Sequence, residues 1–152
     1  MHLISRVIAT GFFFGYAPFF PGTMGSFLGL FLYWIIPGSE KIYFLGFIAL
    51  TFLVGVWAAS EVEKQTSVND NQIIVIDEVV GTFITFILFE KKIIWLAIGF
   101  ILFRLFDIVK IFPAKNTERL PRGWGVMMDD VVAGIYSAVS LRLIFFIVHK
   151  VL

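Results

Sequence analysis

The chain has 152 residues and a mass of 17.3 kDa, room for one domain covering 1–152. Hydrophobic residues make up 59% and charged residues 15%, against about 45–50% and about 25% in ordinary soluble chains. With 19 Phe and a mean hydropathy of +0.94, the composition excludes a soluble domain and points to a membrane protein. Twelve Lys+Arg against 11 Asp+Glu give nucleic acid no basic footprint. The absence of Cys excludes a disulfide framework, a thiolate metal site and a cysteine nucleophile. His2 and His149 sit at the chain ends, which argues against a histidine-ligated zinc site and a phosphohistidine mechanism. Chemistry is left to carboxylates, hydroxyls, Lys and Arg, with a hard metal.

Arg6 precedes an apolar run, but no small-residue cleavage site follows it, so the segment is read as part of the mature protein. From Val7 to Ser39 no charge occurs, and Pro18, Pro21 and Gly22 predict a break between two helices. The second, about Met24 to Ile36, reaches only about 20 Å and is short for a core of about 30 Å. Ile42 to Ala59 is an uncharged span, and Glu61 to Asn71 reads as a polar loop. Ile73 to Phe89 is apolar after Asp77 and Glu78, and Glu90-Lys91-Lys92 is a turn. Ile93 to Val109 carries Arg104 and Asp107 near its end; Pro113 to Arg122 is a basic loop. Gly123-Trp124-Gly125, either a hinge or an ordinary turn, leads into Val126 to Val148, with Asp129 and Asp130 at its start. The expected fold is an all-α, multi-pass transmembrane bundle of about four to five membrane helices, one of them short or re-entrant.

If consecutive spans alternate in direction, the Pro21-Gly22-Thr23 break and Asp77, Glu78, Asp107, Asp129 and Asp130 fall at one membrane face. The turns at Gly38–Lys41 and Glu90–Lys92 fall at the other. Carboxylates in apolar spans are expensive and usually functional. The bland alternative is interfacial helix-end charge satisfied by water and by the helix dipole; it explains one Asp better than five at one level. Arg104 and Lys110, three residues either side of Asp107, offset part of the charge. The negative surplus suits Mg²⁺, a hard cation with oxygen ligands. Pro21-Gly22-Thr23-Met24-Gly25-Ser26 opens a helix with small residues and hydroxyls, either an anion site or a plain capped turn.

Four strings carry a resemblance: Gly11…Gly15…Pro18…Pro21-Gly22-Thr23-Met24-Gly25-Ser26, Ile76-Asp77-Glu78-Val79-Val80-Gly81, Phe103-Arg104-Leu105-Phe106-Asp107-Ile108-Val109-Lys110, and Gly123-Trp124-Gly125-Val126-Met127-Met128-Asp129-Asp130-Val131-Val132-Ala133-Gly134. In that order, from Thr10 to about Tyr136, they resemble the phosphatidylglycerophosphatase A family. The resemblance implies a bacterial inner-membrane, Mg²⁺-dependent lipid phosphatase, all-helical, converting phosphatidylglycerophosphate to phosphatidylglycerol and phosphate. Ile111 stands where the family usually has Pro, so the helix carrying Lys110 is expected to run slightly further here.

Residue chemistry and resemblance agree on types: phosphoryl transfer needs charge neutralisation and an in-line nucleophile. Asp77, Glu78, Asp129 and Asp130, and less centrally Asp107, are the expected metal ligands. Asp77, Asp130, Arg104 and Lys110 are the expected catalytic set, the two cations gripping phosphoryl oxygens. Gly22, Thr23, Gly25 and Ser26 are expected at the phosphate. Water is favoured as nucleophile because no Asp-x-Asp motif is present. The expected partners are a phospholipid substrate and the bilayer, with no nucleic acid. Competing readings are a phosphatase for another anionic lipid such as phosphatidic acid, an ion-binding transporter, and a lipid-binding scaffold. Lys64, Lys110, Lys115, Arg119 and Arg122 on the site side outnumber Lys41, Lys91, Lys92 and Lys150, which places the site at the cytoplasmic face.

Overall fold

A computed structural model describes residues 2–36, 41–117 and 120–151. Helices α1 (His2–Ala9), α2 (Pro21–Ile35), α3 (Lys41–Thr66), α4 (Ile76–Phe86), α5 (Ile93–Val109), α6 (Ala114–Thr117) and α7 (Gly123–Val151) follow one another, with a 3-10 turn at Phe14–Tyr16. The protein is all-α among the described residues. The Gly38–Lys41 turn falls largely, and Arg119 wholly, outside them.

Among the described residues, only α3 and α7 contain stretches long and apolar enough to cross a membrane, Ile42–Thr66 and Gly123–Lys150. About one third of their most apolar windows is buried inside the protein, 33% and 28%. The remainder faces outward as Leu, Ile, Phe and Val, as lipid-facing helices do and core helices of soluble proteins do not. The chain is therefore membrane-located. Helices α2, α4 and α5 are shorter, at 15, 11 and 17 residues.

Helix α4 is the centre of the bundle, packed by α2, α3, α5 and α7. It is buried at Ile76, Asp77, Val79–Phe83, Thr85 and Phe86, and at about 16 Å it cannot span a bilayer core. A helix ending inside apolar surroundings must have its carbonyls satisfied by protein. The Tyr33 hydroxyl does this, reaching the carbonyls of Phe86 at 3.1 Å and Phe89 at 2.7 Å. Lys91 serves the end of α2 in the same way, its Nζ donating to the carbonyls of Trp34 (3.0 Å) and Ile36.

Several boundaries differ from the sequence expectation. The stretch from Glu61 is not a loop from its start: α3 continues to Thr66, because Glu61, Lys64 and Gln65 are good helix formers. Lys64 also pairs with Glu61 at 2.6 Å. The Val7 segment is not one helix running to the Pro break. Helix α1 stops at Ala9, and Gly11, Phe12 and Phe13 take positive φ before the 3-10 turn. Helix α5 does not run past Lys110 despite Ile111; it stops at Val109, and Lys110 turns the chain at φ 47°. Gly123 opens α7 directly, its N–H donating to Ser60 Oγ at 3.2 Å, so the glycine segment is a packed helix start rather than a hinge.

Close packing at glycines joins α4 to α7. A Cβ on Gly134 would lie 2.6 Å from the Gly81 carbonyl oxygen, and one on Gly81 would lie 2.9 Å from the Asp130 carbonyl oxygen. Backbone meets backbone there, as small residues permit between membrane helices. Gly134→Ala is expected to lower stability by about 1–3 kcal/mol through overpacking. Gly46→Ala, with no atom within 4 Å of the added methyl, should be neutral or slightly stabilising because Ala favours helix. Thermal unfolding of both variants in detergent checks the contrast.

Candidate metal centre

One turn before the glycine contact on each helix stands a carboxylate: Asp77 on α4 and Asp130 on α7. The close crossing brings them together, with Glu78 beside Asp77 in the first turn of α4. Each of the three offers an oxygen, and these oxygens lie within 4.8 Å of one another. Asp77 Oδ1, Glu78 Oε2 and Asp130 Oδ2 are buried and have no hydrogen-bond partner among the described residues. Unpaired buried carboxylate oxygens are costly, and a cation is the ordinary remedy. This acidic centre can coordinate a metal ion.

The centre belongs to a cleft of about 390 Å³ whose lining includes Gly22, Asp77, Glu78, Arg104, Asp107, Lys110, Asp129 and Asp130. Every acidic and basic site residue expected from the sequence is thus gathered in one place. The carboxylates divide into two kinds, however. Asp129 uses both oxygens: Oδ1 accepts the Asp130 N–H at 3.0 Å and Oδ2 accepts Lys110 Nζ at 2.8 Å. Asp107 Oδ2 pairs with Arg104 Nη1 at 2.7 Å. Asp107 and Asp129 are thus each ion-paired, whereas Asp77, Glu78 and Asp130 form the compact acidic trio beside them.

The residues expected at the phosphate also divide. Gly22 lines the cleft, and a Cβ there would strike Glu78 Oε1 and come within 3.3 Å of Arg104, so a side chain would push α2 off the centre. Thr23, Gly25 and Ser26 are not among the lining residues. Gly25 packs against Val75 and Glu78. Buried Ser26 donates to the Gly22 carbonyl at 3.0 Å and accepts from Arg104 Nη1 at 3.2 Å, tying α2 to α5.

Sequence reading missed Glu63 and the loop it anchors. Glu63 is buried, and its Oε1 accepts the Asp70 N–H at 2.9 Å. Asp70, Asn71 and Gln72 form one wall of the cleft. No spacing marks Glu63 apart from the solvated charges beside it; only the folding back of 67–75 buries it.

An all-helical membrane protein with an acidic centre able to take a metal ion, beside an ion-paired arginine and lysine, is the class that fold and site define. The chain belongs to the phosphatidylglycerophosphatase A family, whose sequence pattern matches residues 7–145. It is 38% identical over 137 residues to a phosphatidylglycerophosphatase A of Haemophilus influenzae, covering 88% of this chain and 84% of the relative. It is 33% identical over 146 residues to a phosphatidylglycerophosphatase A of Escherichia coli, covering 95% and 83%. It is also 36% identical over 143 residues, 89% of each chain, to a Bacteroides thetaiotaomicron protein provisionally named phosphatidylinositol-3-phosphatase. No solved structure matches the chain.

Removing one charge from the trio should weaken cation binding. Asp77→Asn and Asp130→Asn are each expected to lower Mn²⁺ affinity about tenfold or more. Glu61→Gln, which touches only the Lys64 pair on α3, should leave it at the wild-type value. Titration of purified protein followed by electron paramagnetic resonance of free Mn²⁺ measures both.

Proposed function

We propose that the protein is a Mg²⁺-dependent lipid phosphatase that hydrolyses phosphatidylglycerophosphate to phosphatidylglycerol and inorganic phosphate. The observation that carries the reading is the close cluster of Asp77, Glu78 and Asp130, each with a buried oxygen that has no hydrogen-bond partner among the described residues, in a cleft that also holds Arg104 and Lys110. Family membership supports the reaction class and the two relatives named phosphatidylglycerophosphatase A support the head group.

Asp77, Glu78 and Asp130 would hold the cation, and their hard oxygen donors suit Mg²⁺. When bound, Mg²⁺ supplies charge neutralisation at the phosphoryl oxygens and lowers the barrier to attack by water. Arg104 and Lys110 bind the remaining phosphate oxygens, each held in aim by its carboxylate, Asp107 and Asp129. Gly22 keeps the wall thin enough for a phosphate to reach Glu78 and Arg104. Water is the nucleophile. The chain acts as one domain spanning the bilayer through α3 and α7, with α2 and α5 beside them and α4 as the short buried helix.

The site faces the cytoplasm of a bacterial inner membrane in this reading. Support comes from Lys64, Lys110, Lys115 and Arg122 on the cleft side, and from Arg6, whose Nε donates to Gln65 at the cleft end of α3. Lys92, exposed in the turn before α5, marks the opposite side.

Purified protein should release phosphate from phosphatidylglycerophosphate faster than from phosphatidic acid or phosphatidylinositol 3-phosphate. EDTA should abolish release, Mg²⁺ restore it, and Ca²⁺ serve poorly because it favours looser coordination by about six to eight oxygens. Asp77→Asn and Asp130→Asn should each reduce turnover on the order of 10²-fold. Full turnover in excess EDTA would overturn the metal assignment, and a faster rate on another lipid phosphate would reassign the substrate. The chain has no Cys, so sidedness can be read from Lys92→Cys and Lys115→Cys in intact cells. An impermeant thiol reagent should modify the first and spare the second.

A further inference from the structure

We propose that an apolar groove between α2 and α5 holds one acyl chain of the lipid whose phosphate occupies the cleft, an inference that rests on the lipid-phosphatase reading. The groove encloses about 480 Å³, and Phe27, Phe31 and Trp34 of α2 face Leu96, Ala97 and Phe100 of α5 across it. Among the described residues, no charged side chain lines it.

Its position relative to the cleft selects the occupant. Helix α2 leaves the cleft at Gly22 and α5 arrives there at Arg104 and Asp107. The groove begins at Phe27, next to Ser26, and at Ile101, three residues before Arg104. Both points lie within one helical turn of the Ser26–Arg104 hydrogen bond that joins the two helices at the cleft. Phe27 and Phe100, ring centroids 4.5 Å apart, join the two helices at this level. From Phe27 to Trp34 the groove extends about 10 Å further along α2, away from the cleft. Exposed Phe20 adds an apolar surface at the cleft wall itself.

A second cavity adjoining the cleft is poorly suited to a hydrocarbon chain, being lined largely by charged and polar groups. It shares Asp70 and Asp129 with the cleft and is lined further by Glu63, Asn69 and Arg122. A lipid with its phosphate against the acidic centre therefore has an apolar path along α2 and α5 and a polar one toward α3 and α7. A chain leaving the bilayer for the groove exchanges one apolar environment for another, so the gain is one of packing and is modest.

The test uses the whole protein in phosphatidylcholine nanodiscs and a phosphonate analogue of phosphatidylglycerophosphate with a diazirine in one acyl chain. Irradiation should label residues 27–34 and 96–101. Unlabelled phosphatidylglycerophosphate should compete the label away and added phosphatidylcholine should not. Equal labelling by a diazirine phosphatidylcholine, or no label in these segments, would overturn the proposal in favour of bulk lipid or a second copy of the chain. In parallel, Ala97→Trp should reduce the long-chain to short-chain ratio of kcat/KM about three- to tenfold. Leu53→Trp, on the outward face of α3, should keep the wild-type ratio. If no lipid phosphate is hydrolysed, the phosphatase reading fails while competed labelling still upholds the groove. If phosphate is released but labelling is uncompeted and Ala97→Trp keeps the wild-type ratio, the groove assignment fails alone.

Discussion

Contact of backbone with backbone at Gly81 and Gly134 sets the distance between α4 and α7, and the acidic centre follows from that distance. Asp77 and Asp130 stand four residues before the two glycines, one turn nearer the cleft on each helix. Side chains at 81 and 134 would hold the helices apart by the thickness of a methyl group or more. The carboxylates would separate with them, and oxygens now within 4.8 Å of one another would no longer converge on one cation. The same crossing fixes Asp129, and through it the Lys110 ion pair that ties the end of α5 to α7.

A short helix carrying two carboxylates into an apolar bundle needs partners at both ends. At its start, α4 is held by the Val75 N–H, which donates to the Ala9 carbonyl at 2.8 Å and anchors the preceding loop to α1. At its end, Tyr33 takes up the carbonyls that a bilayer would leave bare. Outward Leu, Ile and Phe residues lie on α2, α3, α5 and α7, the helices packed around α4, and this enclosure by protein lets α4 remain short. Depth in the membrane and depth in the protein are thus separate variables here, and the acidic centre depends on the second.

Beside the trio of Asp77, Glu78 and Asp130 the cleft holds two ion pairs, Arg104–Asp107 and Lys110–Asp129, with Asp70 in its wall. Asp77, Glu78 and Asp130 could hold a metal ion between them. Arg104 and Lys110 are each held in place by the paired carboxylate, which restricts the freedom of the side chain.

The sequence by itself determined that the chain lives in a membrane, that it is helical, and which charged residues meet. Composition did the first, and the placement of Asp77, Glu78, Asp107, Asp129 and Asp130 at the ends of apolar runs did the last, because alternating helices return those ends to one face. Four ordered motifs were enough to indicate the family. Hydropathy could not tell a helix buried by lipid from one buried by protein, since both are apolar all round; α4 therefore read as a span although it is an 11-residue core helix. Nor could it divide five carboxylates into three that cluster together and two that are ion-paired, or bury Glu63 under a returning loop. Those outcomes depend on approaches of a few ångströms between residues distant in the chain. Only the packing of α4 against α7, α2 and α5 decided them.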